Sequence, residues 1–129
     1  MPKGMVIADD VTGANATGVL LKKNGFETYT VLDPAQAKDR AIVGSECITI
    51  ATESRSIPSK EAYDRVRGVL EQLDRENIKL YSKRIDSTLR GNLGSETDAF
   101  LDVLGDSYIA AVCRAFQRQA GYSSEGICW

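Results

Sequence analysis

Three short polar clusters hold most of the residues in this sequence that could do chemistry. The first is Asp9-Asp10, the second Thr52-Glu53-Ser54-Arg55, and the third runs from Lys83 to Asn92 and contains Asp86, Ser87, Thr88 and Arg90. Neighbouring side chains on extended backbone point to opposite sides. One of Asp9 and Asp10 can therefore orient hydroxyls or an ion while the other caps a following helix. Arg55 and Arg90 carry planar forks that match a carboxylate or a phosphate with two parallel hydrogen bonds. Against that stands the plainer alternative of a solvated surface arginine. Asp86, Ser87 and Thr88 can bond hydroxyls, and Asp86 can act as a base, although turns and helix caps draw the same residue types. Lys83 is the weakest candidate, because a lysine after a strand is commonly solvated. The chain contains no histidine. The usual general base and the commonest metal ligand are thus missing, and acid–base work falls to Asp, Glu, Lys or Tyr.

The elements that must position these clusters alternate between strand and helix. Met5 to Ala8 is an apolar run that predicts a first strand ending at Asp9. A helix follows from about Thr12, with Ala14, Thr17, Gly18 and Leu21 on one face and Asn24-Gly25 as its stop. Glu27 to Leu32 predicts a second strand, broken by Asp33-Pro34. Residues 35–45 fit a short helix or a loop equally. Cys47 to Ala51 predicts a third strand. Pro58-Ser59 opens a helix whose Ala62, Val66, Val69, Leu70 and Leu73 form an apolar stripe. Ile78 to Ser82 predicts a fourth strand. Leu93, Thr97, Phe100, Leu101 and Leu104 repeat the helical spacing, and Tyr108 to Cys113 predicts a fifth strand. This alternation implies a three-layer α/β/α fold with a mostly parallel sheet of four to five strands. In such sheets ligands bind beyond the carboxyl ends of the strands, which is where all three clusters fall.

Composition sets the outer bounds. The 129 residues suit one domain, and 43% hydrophobic with 26% charged residues is globular rather than disordered. A net charge of −2 offers no bulk attraction to nucleic acid or a membrane surface. Cys47, Cys113 and Cys128 are odd in number and not closely paired, which argues against a disulfide framework or a zinc site. Cys47 and Cys113 lie in apolar runs and read as buried thiols. With no signal peptide and no bilayer-length apolar stretch, a cytoplasmic protein is expected. No Gly-rich loop ending in Lys-Ser or Lys-Thr is present, so a nucleotide, if one is used, must be held elsewhere.

At its polar clusters the sequence resembles the four-carbon acid sugar kinase family, which includes D-threonate and D-erythronate kinases. The stretch Ala8-Asp9-Asp10-Val11-Thr12-Gly13-Ala14-Asn15 matches the opening motif, and Thr52-Glu53-Ser54-Arg55 matches the second. The stretch from Lys83 through Ser87-Thr88-Leu89-Arg90-Gly91-Asn92-Leu93-Gly94 to Glu96 resembles the longest and most specific one. Order and spacing agree up to about Val112. The resemblance implies a two-domain enzyme in which this part holds a four-carbon sugar acid and a second domain holds ATP with magnesium. It makes Asp9, Asp10, Arg55, Asp86, Ser87, Arg90 and Asn92 substrate contacts. Asp10 and Asp86 become the catalytic candidates, without deciding which takes the hydroxyl proton.

Where the family shows two prolines and an arginine after the fifth strand, this chain has Arg114, Gln117 and Tyr122. The expectation is therefore a single truncated sugar-acid-binding domain over residues 1–129. The ATP-binding domain and any cofactor or metal site would lie outside it, and the chain alone would be inactive. A separate nucleotide-binding partner and a homo-oligomer are expected, the latter from apolar surface and a strand edge left uncovered. Two other classes compete. A non-catalytic remnant would share every motif. A receiver-like signalling domain would share the sheet and the paired acids, but Glu53 stands where its phosphoacceptor aspartate belongs and residues 113–117 contain no lysine.

Overall fold

The computed structural model of the chain describes residues 2–38, 42, 44–73 and 76–113. Four strands, β1 (Gly4–Ala8), β2 (Thr28–Val31), β3 (Cys47–Ala51) and β4 (Leu80–Arg84), form one parallel sheet in the order β2-β3-β1-β4. Helix α1 (Val11–Lys23) covers one face, and α2 (Ser59–Gln72) with α3 (Leu93–Leu104) covers the other. A short 3-10 turn, Pro34–Lys38, follows β2. These are the three layers that the alternation demands. No helix among the described residues is long and apolar enough to cross a membrane.

The pleat explains how one sheet serves two different helix layers. Met5 pairs with Ile48 and Ile7 with Ile50, and together with Val31 these residues face α2 and α3. There they pack with Val66, Val69, Leu70, Ala99 and Phe100 into the main core. Burying a side chain of this size stabilises the fold by about 1.5–3 kcal/mol. The alternate positions meet α1 and are small: Ala8, Ala51 and Ala14 form a second cluster. Gly18 lets α1 lie close to the sheet, since a Cβ there would sit 2.7 Å from Thr30 Oγ1. Helix α1 starts one residue earlier than the sequence implies. Its cap is Asp10, one of the two aspartates expected to cap it, whose Oδ1 accepts from Gly13 N–H at 2.8 Å.

Two strand expectations change. β4 begins at Leu80 and runs on to Arg84, two residues beyond the expected end, in register with Gly4 through Ala8 of β1. Charged residues can end this strand because Lys83 meets a buried carboxylate and Arg84 turns toward the aspartates. Ile78 instead enters the core ahead of the strand. The fifth strand, Tyr108 to Cys113, is not formed: these residues are exposed, Ile109 to 93%. A continuous apolar run makes a strand when both its faces are covered, and no described helix covers this one. Cys113 is accordingly exposed rather than buried, while Cys47 is half-buried and its thiol is pushed up by burial and by Glu46.

The expected stripe on α3 is met in part. Phe100 is buried with Glu96 and Ala99, and Leu104 packs against the main core, whereas Leu93, Thr97 and Leu101 line a groove of about 540 Å³ along the outer side of β4, which Phe100 and Leu104 also border. The altered stretch from Arg114 to Trp129, with Cys128, lies outside the described residues.

Candidate functional site

The carboxyl ends of β1, β3 and β4 meet at one edge, and the three polar clusters meet with them. Backbone bonds fix their approach. Thr52 N–H donates to Ala8 O at 2.9 Å and Ser54 N–H to Asp9 O at 3.0 Å, so the loop after β3 is laced to the end of β1. Arg65 Nη1 donates to the carbonyls of Thr52 and Glu53, and Asn92 Nδ2 donates to those of Ser54 and Ile57. Within this frame Glu53 adopts a φ of 49°, a left-handed conformation that a residue with a side chain keeps only where its surroundings hold it. Gly91 has a φ of 100°, and a Cβ there would lie 2.7 Å from Asp9 Oδ2, so the third cluster closes tightly over the first.

Arg55 is the centre of the site. Its Nε and Nη2 donate to Asp9 Oδ2 and Oδ1, each at 3.1 Å. Nη1 lies 3.1 Å from Asp10 Oδ2, and Nη2 lies 3.8 Å from Asp86 Oδ1. Asp9 is 2% exposed, and both of its carboxylate oxygens are taken by this guanidinium. The Asp9 bond and the nearby carboxylates hold the Arg55 guanidinium above its usual value, against the effect of burial.

Asp86 is the second node. Its Oδ2 accepts from the Thr88 hydroxyl, from Thr88 N–H at 3.0 Å, from Arg90 N–H at 3.3 Å and from Arg90 Nε at 3.0 Å, while Oδ1 accepts from Arg90 Nη2 at 2.8 Å. Arg90 and Thr88 together hold this carboxyl far below the usual carboxylate range. A depressed folded-state pKa contributes stability above the unfolded value, about 3.9, and loses it as pH falls toward the folded value. The stability deficit of Asp86→Asn relative to the native chain is therefore expected to stay constant from pH 7 to about pH 4 and to shrink below it. Urea midpoints measured across that range check this, and a deficit that begins to shrink above pH 5 would contradict the assignment.

Five of the residues expected from the sequence, Asp9, Asp10, Arg55, Asp86 and Arg90, thus lie in one linked cluster. Ser87 is half-buried beside Asp86. Asn92 sits at the start of α3, with its amide nitrogen engaged by the loop after β3. Two further residues come to the site that were not singled out. Arg84 is buried: desolvation pushes its guanidinium down, while Asp10, Asp9 and Asp86 pull it up. Glu96 is 1% exposed and binds Lys83. Both stand inside the longest motif, and their charge made them look like surface residues.

The arrangement favours an acid bearing hydroxyls. Carboxylates accept bonds from hydroxyl groups, and Arg90, 65% exposed in its side chain, can turn its fork to a carboxylate. It does not suit a polyphosphate. The first turn of α1 is already occupied by carboxylates, with Glu53 Oε1 accepting from Val11 N–H and Asp10 from Gly13 N–H. Among the described residues no group of His, Cys, Asp and Glu is arranged to hold a metal ion.

Residues 4–129 match the family model described as a sugar-binding N-terminal domain. The chain is 48% identical over 120 residues to a D-erythronate kinase of Heliobacterium modesticaldum, covering 90% of this chain and 26% of that protein. It is 35% identical over 127 residues to a D-threonate kinase of Salmonella typhimurium, covering 98% of this chain and 29% of that protein. A domain of unknown function from Bordetella bronchiseptica, solved with bound citrate as a domain-swapped dimer, superposes with a TM-score of 0.83 at 35% identity, over 89% of this chain and 30% of that one. The chain thus spans less than a third of the length of these relatives.

Proposed function

Because the chain belongs to the family of sugar-binding N-terminal domains, we propose that it forms the acid-binding part of a kinase for four-carbon sugar acids. The observation that carries this reading is the linked cluster of Arg55, Arg90 and three aspartates at the strand ends. The relatives named D-erythronate and D-threonate kinase support the substrate class.

In this reading Arg90 leaves Asp86 to take the substrate carboxylate, and Asp86, freed of one partner, accepts from substrate hydroxyls. With Arg90 turned away, Asp86 is still buried and still accepts from the Thr88 hydroxyl and N–H, so it is the less accessible carboxylate for a proton. Asp10 is more accessible, and its Oδ2 engages only the edge of the Arg55 fork. We assign it the proton of the hydroxyl that is phosphorylated. Arg55 and Asp9 hold the two aspartates in place. Ser87 and Asn92 complete the contacts, Asn92 through its side-chain oxygen.

A kinase of this kind uses ATP and magnesium, which supply the phosphoryl group and shield its charge. Carboxylates at the first turn of α1 would repel phosphates, and the site aspartates are already engaged by arginine. ATP and magnesium are therefore assigned to another part of the enzyme.

Calorimetric titration tests the reading. D-erythronate or D-threonate is expected to bind, and the four-carbon alcohol without a carboxylate is not. Equal affinity for acid and alcohol would refute it. Self-association is also part of the proposal. The groove beside β4 and the exposed Ile109 and Val112 are apolar surface that favours an interface, and the Bordetella relative is a dimer.

A further inference from the structure

Outside the substrate contacts, one buried charged group stands out. Glu96 lies on the inward face of α3 and is 1% exposed, and its two oxygens have different partners. Oε2 takes Lys83 Nζ at 2.9 Å, and the same ammonium donates to Arg84 O at 2.9 Å. Oε1 accepts from the Ser54 hydroxyl. Ser54 is itself fully buried, and its Oγ lies 2.7 Å from Thr52 Oγ1. A carboxylate only accepts, so the single Ser54 proton must point to Glu96. Thr52 Oγ1 then shares its one proton between Ser54 Oγ and the Ala8 carbonyl, 3.1 Å away, so the carboxylate sets the direction of the Ser54 hydroxyl. These bonds tie together α3, β4 and the loop that carries Arg55.

A buried ion pair is weak evidence for stability, because desolvation offsets most of its attraction. Its position says more than its energy. Ser54 directly precedes Arg55. The backbone of the loop from Thr52 to Ile57 is held on every side, by Ala8, Asp9, Arg65 and Asn92. Glu96 grips a side chain of this loop from α3, on the far side of the sheet from α1. The strained φ of Glu53 lies within the same stretch. We propose that Glu96 is a positioning residue which, through Ser54, fixes the Arg55 fork against Asp9, Asp10 and Asp86. Glu96 touches no substrate in this arrangement. Its effect on binding rests on the sugar-acid reading of the site, but its effect on Arg55 does not.

Two conservative variants test it. Glu96→Gln keeps the shape but loses the charge that directs Ser54, and Ser54→Ala cuts the link and leaves the Glu96–Lys83 pair intact. The direct readout is hydrogen exchange of the Arg55 Nε–H, followed by nitrogen-15 NMR on the full chain. In the native chain this proton is expected to be slowed by its bond to Asp9. In both folded variants its exchange should accelerate by about tenfold or more, and affinity for the four-carbon acid should fall by about tenfold, the scale of loss seen when a binding group is misplaced. Adding Ser54→Ala to Arg55→Ala should lower affinity no further. A merely structural role would lower stability and leave the Arg55 exchange unchanged in a folded variant, and that result overturns the proposal. Loss of folding in both variants overturns it too, since Glu96 would then serve the core alone. If the native chain binds no sugar acid, the functional reading fails while the Arg55 measurement still decides the role of Glu96.

Discussion

Arg55→Ala is expected to lower the unfolding free energy by about 3 kcal/mol, the low end of the cost of breaking a buried ion pair. The cause is not the lost attraction but the carboxylate left behind. Asp9 is almost fully buried and receives both prongs of the Arg55 fork. Without that fork a charge remains in a poorly solvated place, offset by the less direct fields of Arg84 and Arg90. The companion variant separates stability from function. Asp9→Asn in the Arg55→Ala background removes the stranded charge, so stability should recover in large part. Acid binding should not recover, because the centre of the cluster is gone. Urea denaturation and calorimetry on the three chains check this. A single variant as stable as the native chain would show that Asp9 is better solvated than its burial implies.

Arg90→Ala should act more on binding than on stability. Its side chain is largely exposed, and Thr88 and Arg55 stay with the Asp86 carboxylate, so the urea midpoint should fall by less than in Arg55→Ala. Affinity for the four-carbon acid should fall by well over tenfold, because the planar fork aimed at the carboxylate is removed. Arg90→Lys should not restore it, since an ammonium offers a point charge in place of two parallel donors. An acid affinity within a factor of two of the native chain would remove Arg90 from the site. The contrast between the two arginines is itself informative. One holds the site together from inside, and the other faces the solvent from which a ligand arrives.

How far the sequence foretold this depends on which residues carried the signal. The apolar run Cys47–Ala51 became a strand with the expected bounds, and the stripe Ala62, Val66, Val69 and Leu70 became the buried face of α2. Hydrophobic periodicity reports burial directly, so these elements were legible. Asp9, Arg55 and Asp86 were legible because polar residues at strand ends in a parallel sheet have one place to go. Lys83, Arg84 and Glu96 were harder to read, because a lone charge in a sequence looks solvated until its partner is known, and Lys83 and Glu96 stand thirteen positions apart on different elements. The fifth strand was overread from Tyr108 to Cys113 because apolar composition there reports a need for cover, and cover depends on what packs against it. Asn92 was read as a contact, yet its amide nitrogen bridges two carbonyls thirty-odd positions away, a bond that no local pattern announces.

The cluster has a further property that bears on how a ligand arrives. Asp9, Asp10 and Asp86 face Arg55, Arg84 and Arg90, so three negative charges meet three positive ones within one edge of the sheet. Fields from such an arrangement cancel beyond a short distance, and the net charge of −2 adds no attraction for an anion. Under the proposed function a sugar acid would not be drawn in from afar by this cluster. It would arrive by unguided diffusion, at a rate that ionic strength changes little, and would be recognised on contact, when its carboxylate and hydroxyls replace partners that the arginines and aspartates already hold. Selectivity in such a site resides in how long a ligand stays.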